Sequence, residues 1–383
     1  MRFGTNVAAA EHGGCGKRST RMTRMPPQSP GLSRRELLKV AGTGGAGVLV
    51  AGSGVEANQE RSRPKIDTSP GDHVLEFDLP GVLIGSAIYP DGPTGCTVFH
   101  FPRRATGVVD IRGGSPATFW TDAMRRGAAP VDAICLTGGS IYGLESVAGV
   151  ATGLLKRKEY AARLGRIALV SGAVIYDFGA RTTSVYPDRE LGRAALEVAR
   201  PGRFSRGAHG AGASASCGKW LEPAVKRELA GQGAAFAQQG PIRVGVFTVV
   251  NPVGAIVDRT GKVVRGHLDP KTGRRLMYNA PVPGAGEATP EGNTTLTVVV
   301  TNQKLGDWEL SQISRQVHTS MARAIQPFHA LIDGDVLYAV TTGEVGKATD
   351  RKATHTVVDM ATRLAWDAVL SSFIGRPGNP KKS

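Results

Sequence analysis

A run of β-branched residues in the last quarter of the chain most constrains what this sequence can fold into. The segment reads Thr294-Thr295-Leu296-Thr297-Val298-Val299-Val300-Thr301, and the small polar turn Gly292-Asn293 comes directly before it. β-Branched side chains have few χ1 rotamers and pack well on a pleated surface, so such runs favour strands. The sequence therefore predicts a strand that starts at a hydroxyl residue.

A junction of this kind can cut itself. Thr294 Oγ lies next to the carbonyl of Asn293, so a strained turn lets the hydroxyl attack that carbonyl, move the acyl group from nitrogen to oxygen and lose it to water. The product is a threonine with a free α-amine. That amine, with an ordinary pKa of about 8, can serve as the base that a hydroxyl nucleophile needs. The simpler interpretation is a turn that enters an exposed strand.

The first 57 residues differ in composition from the rest of the chain. The whole chain of 383 residues carries a net charge of +15. Residues 1–39 alone hold eight Lys or Arg against two Glu. Arg34-Arg35, the mildly apolar stretch 40–54 and the small-residue site Val55-Glu56-Ala57 are typical of a twin-arginine export signal. A disordered basic tail is the simpler alternative.

We therefore predict a signal region over 1–57, a linker over 58–72 and a single catalytic domain over 73–383. A chain with such a signal is expected to use the twin-arginine export machinery and to reach the periplasm or the cell exterior.

Several classes of protein are disfavoured by the composition. The body lacks a dense Lys/Arg run interleaved with aromatics, so nucleic-acid binding is not expected. The stretch 40–54 is too short and too rich in glycine to span a membrane. Cys96, Cys135 and Cys217 cannot all pair and have no CxxC spacing, which argues against disulfides and cysteine-rich metal sites. The sequence contains no GxSxG elbow, which argues against a Ser-His-Asp hydrolase of that type.

Segments with strand and helix patterns alternate through the body. Strands are predicted at 97–101, 108–112, 133–137, 166–176, 242–250, 294–301 and 336–341. Helices are predicted at 141–156, at 191–200 with Asp188 as its cap, from a cap at Asp307 towards Pro327, and around 357–369. Strands mixed with helices throughout indicate an α/β layered architecture in which helices cover the sheets.

Two polar residues in the middle of the chain are candidates for assisting Thr294. Lys219 follows the small-residue run 210–218, and its charge beside a terminal amine would disfavour protonation of that amine. The alternative is an ordinary surface lysine. Asn251 ends a predicted strand, where its NH2 group is a suitable donor to a developing oxyanion. The alternative there is a hairpin turn.

Two carboxylates form the third candidate. Asp333 and Asp335 flank one glycine, so in an extended segment both side chains face the same side and can orient the hydroxyl and amine of Thr294. A turn with solvated aspartates is the alternative. His329 with these two residues is too small a ligand set to specify a metal, so we predict neither a metal nor a cofactor.

Several segments together resemble the P1 family of self-processing N-terminal-nucleophile peptidases. They are 138–144, 173–178, 210–219, 251–254, 292–295, 326–329 and 333–335. The resemblance implies an α/β fold, a four-layer αββα sandwich of the ornithine-acetyltransferase-like type. It also implies cleavage between Asn293 and Thr294 into an α chain of 58–293 and a β chain of 294–383, assembled as a homo-oligomer of αβ heterodimers.

The resemblance further implies a role for each site residue. Thr294 is the nucleophile, Lys219 and Asn251 assist it, Asp333 and Asp335 orient it, and Tyr176 lines the substrate site. The implied substrate is a small linear amide or short peptide, with oligomers of ω-amino acids such as 6-aminohexanoate favoured. The alternatives are a β- or D-aminopeptidase of the same family and, from another class, an exported binding protein without catalysis.

Overall fold

The computed structural model of the protein describes residues 64–161, 163–284, 292–347 and 350–377. The predicted signal region, 1–57, and the first part of the predicted linker lie outside the described residues. In the described part of that linker, Asp67 pairs with Ile88 through two backbone hydrogen bonds of 2.9 Å. Over the described ranges, no helix is long and apolar enough to cross a membrane.

Strands and helices alternate along the chain. The strands are β1 (Val74–Glu76), β2 (Leu83–Tyr89), β3 (Thr94–Ile111), β4 (Thr118–Phe119), β5 (Ala129–Thr137), β6 (Val170–Val174), β7 (Arg203–Ser205), β8 (Ser216–Cys217), β9 (Glu228–Leu229), β10 (Gln232–Gln239), β11 (Ile242–Asn251), β12 (Ala255–Val257), β13 (Val263–Arg265), β14 (Thr294–Gln303), β15 (Ile325–Gln326) and β16 (Val336–Val345). The α-helices are α1 (Asp122–Arg126), α2 (Leu144–Arg157), α3 (Arg189–Glu197), α4 (Asp307–Ser320) and α5 (Arg351–Ser371).

The long strand β3 joins two halves of a nine-stranded mixed sheet. The strand order is β10-β11-β14-β16-β3-β5-β6-β4, and β2 also pairs with β3. The first half of β3 pairs with β2 and the second half with β16. Between them, at His100 to Ala105, the register with β5 shifts and Arg104 has a left-handed φ of 55°. The two separate strands predicted at 97–101 and 108–112 are therefore one strand with an irregular middle.

Alternate residues of β14 face two different cores, which reveals the layers. Leu296, Val298 and Val300 belong to the core between the two halves of the sheet, whereas Val299 belongs to the core beneath α4 and α5. A third core lies between α2 and α3 on one side and β2, β3 and β5 on the other. The layer order is helix, sheet, sheet, helix, which is the predicted four-layer αββα sandwich.

Strand β14 lies inside this sheet rather than at its edge. It pairs antiparallel with β11 and parallel with β16, and every one of its residues is buried. The strand predicted at 294–301 is confirmed, and the simpler interpretation of that strand as exposed is wrong. The run of valines and threonines suits this place because the hydroxyls find partners inside the sheet, as Thr297 does with Thr248 at 3.0 Å.

The helix caps were predicted with mixed success. Asp188 caps α3, accepting the N–H of Leu191 at 2.9 Å. The predicted cap of α4 is wrong: Gly306 is the N-cap, and Asp307 is the first helical residue, whose carboxylate accepts the N–H of Ala128. The Asp307 side chain binds a backbone N–H that is distant in the sequence instead of capping its own helix, and the local sequence pattern cannot show this.

Candidate active site

Three strand ends bring the predicted residues to one place. Asn251, the last residue of β11, lies opposite Thr294, the first residue of β14. On the other side of β14, Asn293 forms a parallel bridge with Asp333, just before β16. Because the pairing register fixes which residues are neighbours, the hydroxyl, the amide and the carboxylates meet at one end of the sheet.

The carbonyl oxygen of Asn293 accepts two hydrogen bonds. The backbone N–H of Gly334 donates to it at 2.9 Å, and the hydroxyl of Thr294 donates to it from the next residue. Donors at this oxygen stabilise negative charge that develops when the carbonyl is attacked. The Thr294 hydroxyl therefore lies against the carbonyl that the sequence predicts it attacks, and Gly334 supplies a fixed donor to the same oxygen.

Lys219 is a buried lysine that reaches this junction from the segment just after β8. Its backbone N–H is held by the carbonyl of Val253 at 2.7 Å, and its side chain is only 1% exposed. Nζ donates to Asn251 Oδ1 at 3.2 Å and to the Asn251 and Gly292 carbonyls at 3.1 and 3.5 Å. Burial lowers the pKa of Lys219 to about 7. The amine can therefore take or give a proton near neutral pH, and the alternative of an ordinary surface lysine is wrong.

Asn251 links Lys219 to the residues before the junction. Its Oδ1 accepts the N–H of Ser216 at 3.0 Å in addition to Lys219, and its Nδ2 donates to the carbonyls of Tyr176 at 3.0 Å and Gly292 at 3.5 Å. The side chain is fully buried. Strands β11 and β12, on either side of residues 252–254, do not pair with each other among the described strands, so the hairpin alternative is wrong.

Asp335 has three N–H donors on its two carboxylate oxygens. Oδ1 accepts the backbone N–H of Thr295 at 2.6 Å, and Oδ2 accepts the backbone N–H and ring Nδ1 of His329 at 3.1 and 3.0 Å. The carboxylate is fully buried. It therefore contacts the backbone of the residue that follows Thr294.

Asp333 lies in a very different environment although it is two residues away. One of its oxygens accepts the N–H of Val253 at 3.2 Å, and the other has no hydrogen-bond partner within the described part of the chain. Burial, with a further contribution from the charge of Asp335, raises the pKa of Asp333 to about 8. Both aspartates are fully buried, so the alternative of solvated aspartates on a turn is wrong.

A pocket of about 290 Å³ opens beside Thr294. Its lining residues are uncharged: Ser115, Ala117, Ser140, Val174, Tyr176, Gly292, Asn293, Thr294 and Ile332. Gly292 has a left-handed φ of 53°, and a Cβ there would lie 2.0 Å from the ring of Tyr176. The predicted substrate-site residue Tyr176 therefore packs directly on the turn that precedes Thr294.

Sequence reasoning missed several residues that the structure brings to this site. Ser115 and Ser140 each follow a pair of glycines, and both line the pocket. His329 was considered as a metal ligand and as part of the resembling segment 326–329, without a role of its own, and it bonds to Asp335. Across the described residues, no group of three or more His, Cys, Asp or Glu is placed to hold a metal ion. The glycine pairs were a usable signal, since they allow the backbone to turn tightly beside a site.

Solved structures define the class of fold. The L-aminopeptidase D-Ala-esterase/amidase of Ochrobactrum anthropi, described as a variant of the Ntn hydrolase fold, superposes with a TM-score of 0.58 at 15% identity, over 82% of this chain and 91% of that one. A Burkholderia sp. beta-aminopeptidase superposes with a TM-score of 0.57 at 17% identity, over 80% of this chain and 88% of that one. The fold is that of the Ntn hydrolases.

The chain belongs to peptidase family S58, whose sequence profile matches residues 77–375. The 6-aminohexanoate-oligomer endohydrolases of Agromyces sp. (strain KY5R) and Paenarthrobacter ureafaciens are each 47% identical to it over 322 residues, covering 79% of this chain and 87% of theirs. An uncharacterized aminopeptidase of Mycobacterium leprae is 31% identical over 293 residues, covering 70% of this chain and 78% of its own. The chain is thus a hydrolase of amide bonds, and the alternative of a binding protein without catalysis is wrong.

Gly334→Ala should slow or abolish any reaction of Thr294. A Cβ at residue 334 would lie 2.6 Å from Thr294 Oγ and 2.9 Å from the Ser115 carbonyl oxygen, so either the hydroxyl or the loop must move. A shift of about 1 Å at a reacting group can cost on the order of 10²-fold in rate. The rate of amide hydrolysis by the purified protein tests this. Gly165→Ala is the control, because a Cβ there meets nothing within 4 Å. Equal rates for the two variants would contradict the expectation.

Asp333→Asn should stabilise the protein more at high pH than at low pH. The pKa of Asp333 is raised from 3.8 to about 8, so the folded chain keeps a proton that the unfolded chain releases within this window. Wild-type stability therefore falls as pH rises through the window, and the neutral amide removes that loss. Urea denaturation at about pH 5 and about pH 8 measures the difference. Exposed Asp359→Asn is the control, and a pH-independent difference for Asp333→Asn would show the prediction to be wrong.

Proposed function

We propose that this protein is a self-processing N-terminal-threonine hydrolase that cleaves internal amide bonds of linear oligomers, with 6-aminohexanoate oligomers as the favoured substrates. The observation that carries the proposal is the contact between the Thr294 hydroxyl and the carbonyl of Asn293, with the Gly334 N–H on the same oxygen. The identity of 47% with 6-aminohexanoate-oligomer endohydrolases supports the choice of substrate.

Self-processing begins with attack of Thr294 Oγ on the carbonyl carbon of Asn293. The hydroxyl gives up its proton, the C–O bond forms, and the Gly334 N–H stabilises the charge on the carbonyl oxygen. The C–N bond then breaks, and the nitrogen of Thr294 takes a proton as it becomes an amine. Water hydrolyses the resulting ester, so that Asn293 ends in a carboxylate and Thr294 begins a new chain.

Lys219 is suited to move protons during this first cut, when no α-amine exists yet. Its pKa of about 7 leaves both protonation states populated near neutrality, and Nζ lies 3.5 Å from the carbonyl of Gly292, two residues before Thr294. A group with a pKa near the working pH is an effective general acid or base. Asn251 holds this amine in place through its own carbonyl and Oδ1.

Turnover of substrate uses the same residues after the cut. The new α-amine of Thr294 takes the hydroxyl proton, Oγ attacks the substrate carbonyl, and an acyl-enzyme forms as the amine product leaves with a proton. Water then attacks the ester and restores Thr294. Asp333 and Asp335 orient this end of β14, Asn251 supplies an amide donor, and Tyr176 lines the pocket that the substrate enters.

In the uncut chain the described side chains of the pocket favour a neutral segment of substrate over a charged end. They are hydroxyl, amide, small, apolar and aromatic groups, which suit methylenes and an internal amide. An aminopeptidase must bind a free ammonium, and a carboxylate is the natural partner for that charge. A β- or D-aminopeptidase remains the second candidate, since the β-aminopeptidase and D-Ala-amidase structures share the fold.

Export and assembly belong to the same proposal. Arg34-Arg35 and the segments after it support passage through the twin-arginine machinery to the periplasm or the cell exterior. We also propose that the α chain, 58–293, and the β chain, 294–383, stay together and assemble as a homo-oligomer of αβ heterodimers. Cell fractionation tests the location, and native mass spectrometry of the purified protein tests the assembly.

Thr294→Ala should leave the chain in one piece and reduce hydrolysis on the order of 10³-fold or more, because the nucleophile is lost. Thr294→Ser keeps a hydroxyl and should still give two fragments, the second beginning at residue 294. Intact-mass analysis and denaturing electrophoresis measure both results. A Thr294→Ala protein that is cut between 293 and 294, or that retains wild-type turnover, would overturn the proposed function.

An acetylated 6-aminohexanoate oligomer should be cleaved at internal bonds about as fast as the oligomer with a free amine. The reason is that the side chains described around the pocket beside Thr294 are uncharged, so they provide no partner for a terminal ammonium. Mass spectrometry of the products from both oligomers, and from a β-peptide amide, makes the comparison. Loss of about 10²-fold or more in rate on acetylation would instead favour the aminopeptidase, whose site would be left with an unpaired charge.

A further inference from the structure

His329 makes a contact with Asp335 that the proposed reaction does not yet use. The residue has a left-handed φ of 60°, and both its backbone N–H and its ring Nδ1 bond to Asp335 Oδ2. A left-handed backbone is uncommon for a residue other than glycine, and it persists only where the surroundings hold it. Here the conformation brings main chain and side chain of one residue to a single carboxylate oxygen.

The ring of His329 is fixed on its other sides by two aromatic neighbours. It lies against Phe328, with centroids 3.9 Å apart, and meets the ring of His318 edge to face at 4.4 Å. His318 is in turn held by a contact of 3.0 Å between its Nδ1 and Asp110, which also pairs with Arg112 at 2.6 Å. The imidazole therefore has little freedom to turn away from Asp335.

The contact distinguishes the two buried carboxylates. Asp335 receives three N–H donors, whereas Asp333 receives the N–H of Val253 on one oxygen and has no partner on the other within the described residues. A carboxyl group can rotate about its Cβ–Cγ bond, and donors on both oxygens fix its plane. The imidazole of His329 supplies the side-chain donor that fixes Asp335.

We propose that His329 is a positioning residue, whose Nδ1–H holds the carboxylate of Asp335 so that the opposite oxygen binds the N–H of Thr295. Because Thr295 follows the nucleophile directly, this bond sets how Thr294 enters β14. The inference rests on the proposed function, and His329 acts through Asp335 rather than on the substrate. Supporting contacts of this kind keep reacting groups within the small tolerance that catalysis allows.

The tautomer of His329 and its left-handed backbone decide which substitutions test its role. Asp335 accepts the ring hydrogen bond, which places a proton on Nδ1, while Nε2 is buried without a partner within the described structure. The side-chain NH2 of asparagine can replace Nδ1–H, and asparagine tolerates a positive φ better than most residues. Glycine accepts the same backbone without strain but has no donor.

The experiment compares wild type, His329→Gly and His329→Asn. We expect His329→Gly to slow self-cleavage and to lower kcat on a 6-aminohexanoate oligomer by about 10²-fold with little change in KM, because the nucleophile is misplaced while the pocket is intact. His329→Asn should recover most of both rates. The control is His100→Asn, since His100 is also buried but its Nδ1 meets the backbone carbonyl of Asp132 at 3.1 Å. It should behave as wild type.

The rates of the variants test the role of His329, and the cleavage of the wild-type chain tests the proposed function. A His329→Gly protein with wild-type rates would overturn the inference, and so would a folded His329→Asn protein as slow as His329→Gly. Circular dichroism and thermal melting establish folding for each variant. If His329→Gly does not fold, the rates of His329→Asn alone decide, and a drop of about 10²-fold would count against the inference. A wild-type chain that is active without being cut would overturn the proposed function itself, and the role of His329 with it.

Discussion

The register between β14 and its two neighbours is the constraint on which the whole site depends. Antiparallel pairing places Thr294 opposite Asn251, and the bridge between Asn293 and Asp333 brings the acidic turn to the other side. Side chains on a strand alternate between faces, so a slip of one residue would turn the apolar residues of β14 out of the core between the sheets and would also separate Thr294 from its partners. The packing of the strand thus fixes which groups surround its first residue.

Burial of the polar groups lowers stability, and in the proposed function it also supplies the reactivity. Lys219, Asn251, Asp333 and Asp335 are at most 1% exposed, and removing such groups from water is unfavourable unless they are hydrogen-bonded or neutral. Asn251 and Asp335 have several partners, and Lys219 Nζ has three acceptors. Burial also shifts the pKa values of Lys219 and Asp333 to about 7 and about 8, in the direction of the uncharged forms. Groups that titrate near neutrality in a closed site are well suited to transfer protons.

The fold alone does not decide which amide is cleaved. Structures at 15% and 17% identity share the architecture with this chain and include an enzyme named as a beta-aminopeptidase. The same fold can carry different specificities, because specificity depends on the walls of the site. In this chain the described walls beside Thr294 are uncharged, formed by residues such as Ser115, Ser140 and Ile332. The choice of neutral oligomers in the proposed function therefore rests on these walls rather than on the architecture.

Local sequence determined the strand at β14, the cap of α3 at Asp188 and the turn that leads from Asp333 into β16, since each depends on a few neighbouring residues. The positions of Lys219 and Asn251 in the sequence made them candidates, and the resemblance to a family supplied the expected role of Tyr176. Only the tertiary structure decided that β3 is one strand, that β14 is buried on both faces and that His329 bonds to Asp335. The first two features depend on contacts between distant segments, such as the pairing of β14 with β11 and β16. The third joins residues only six apart, but it requires the left-handed backbone at His329 that the surrounding fold holds. Local preference cannot specify them, because burial and pairing over the whole fold override it.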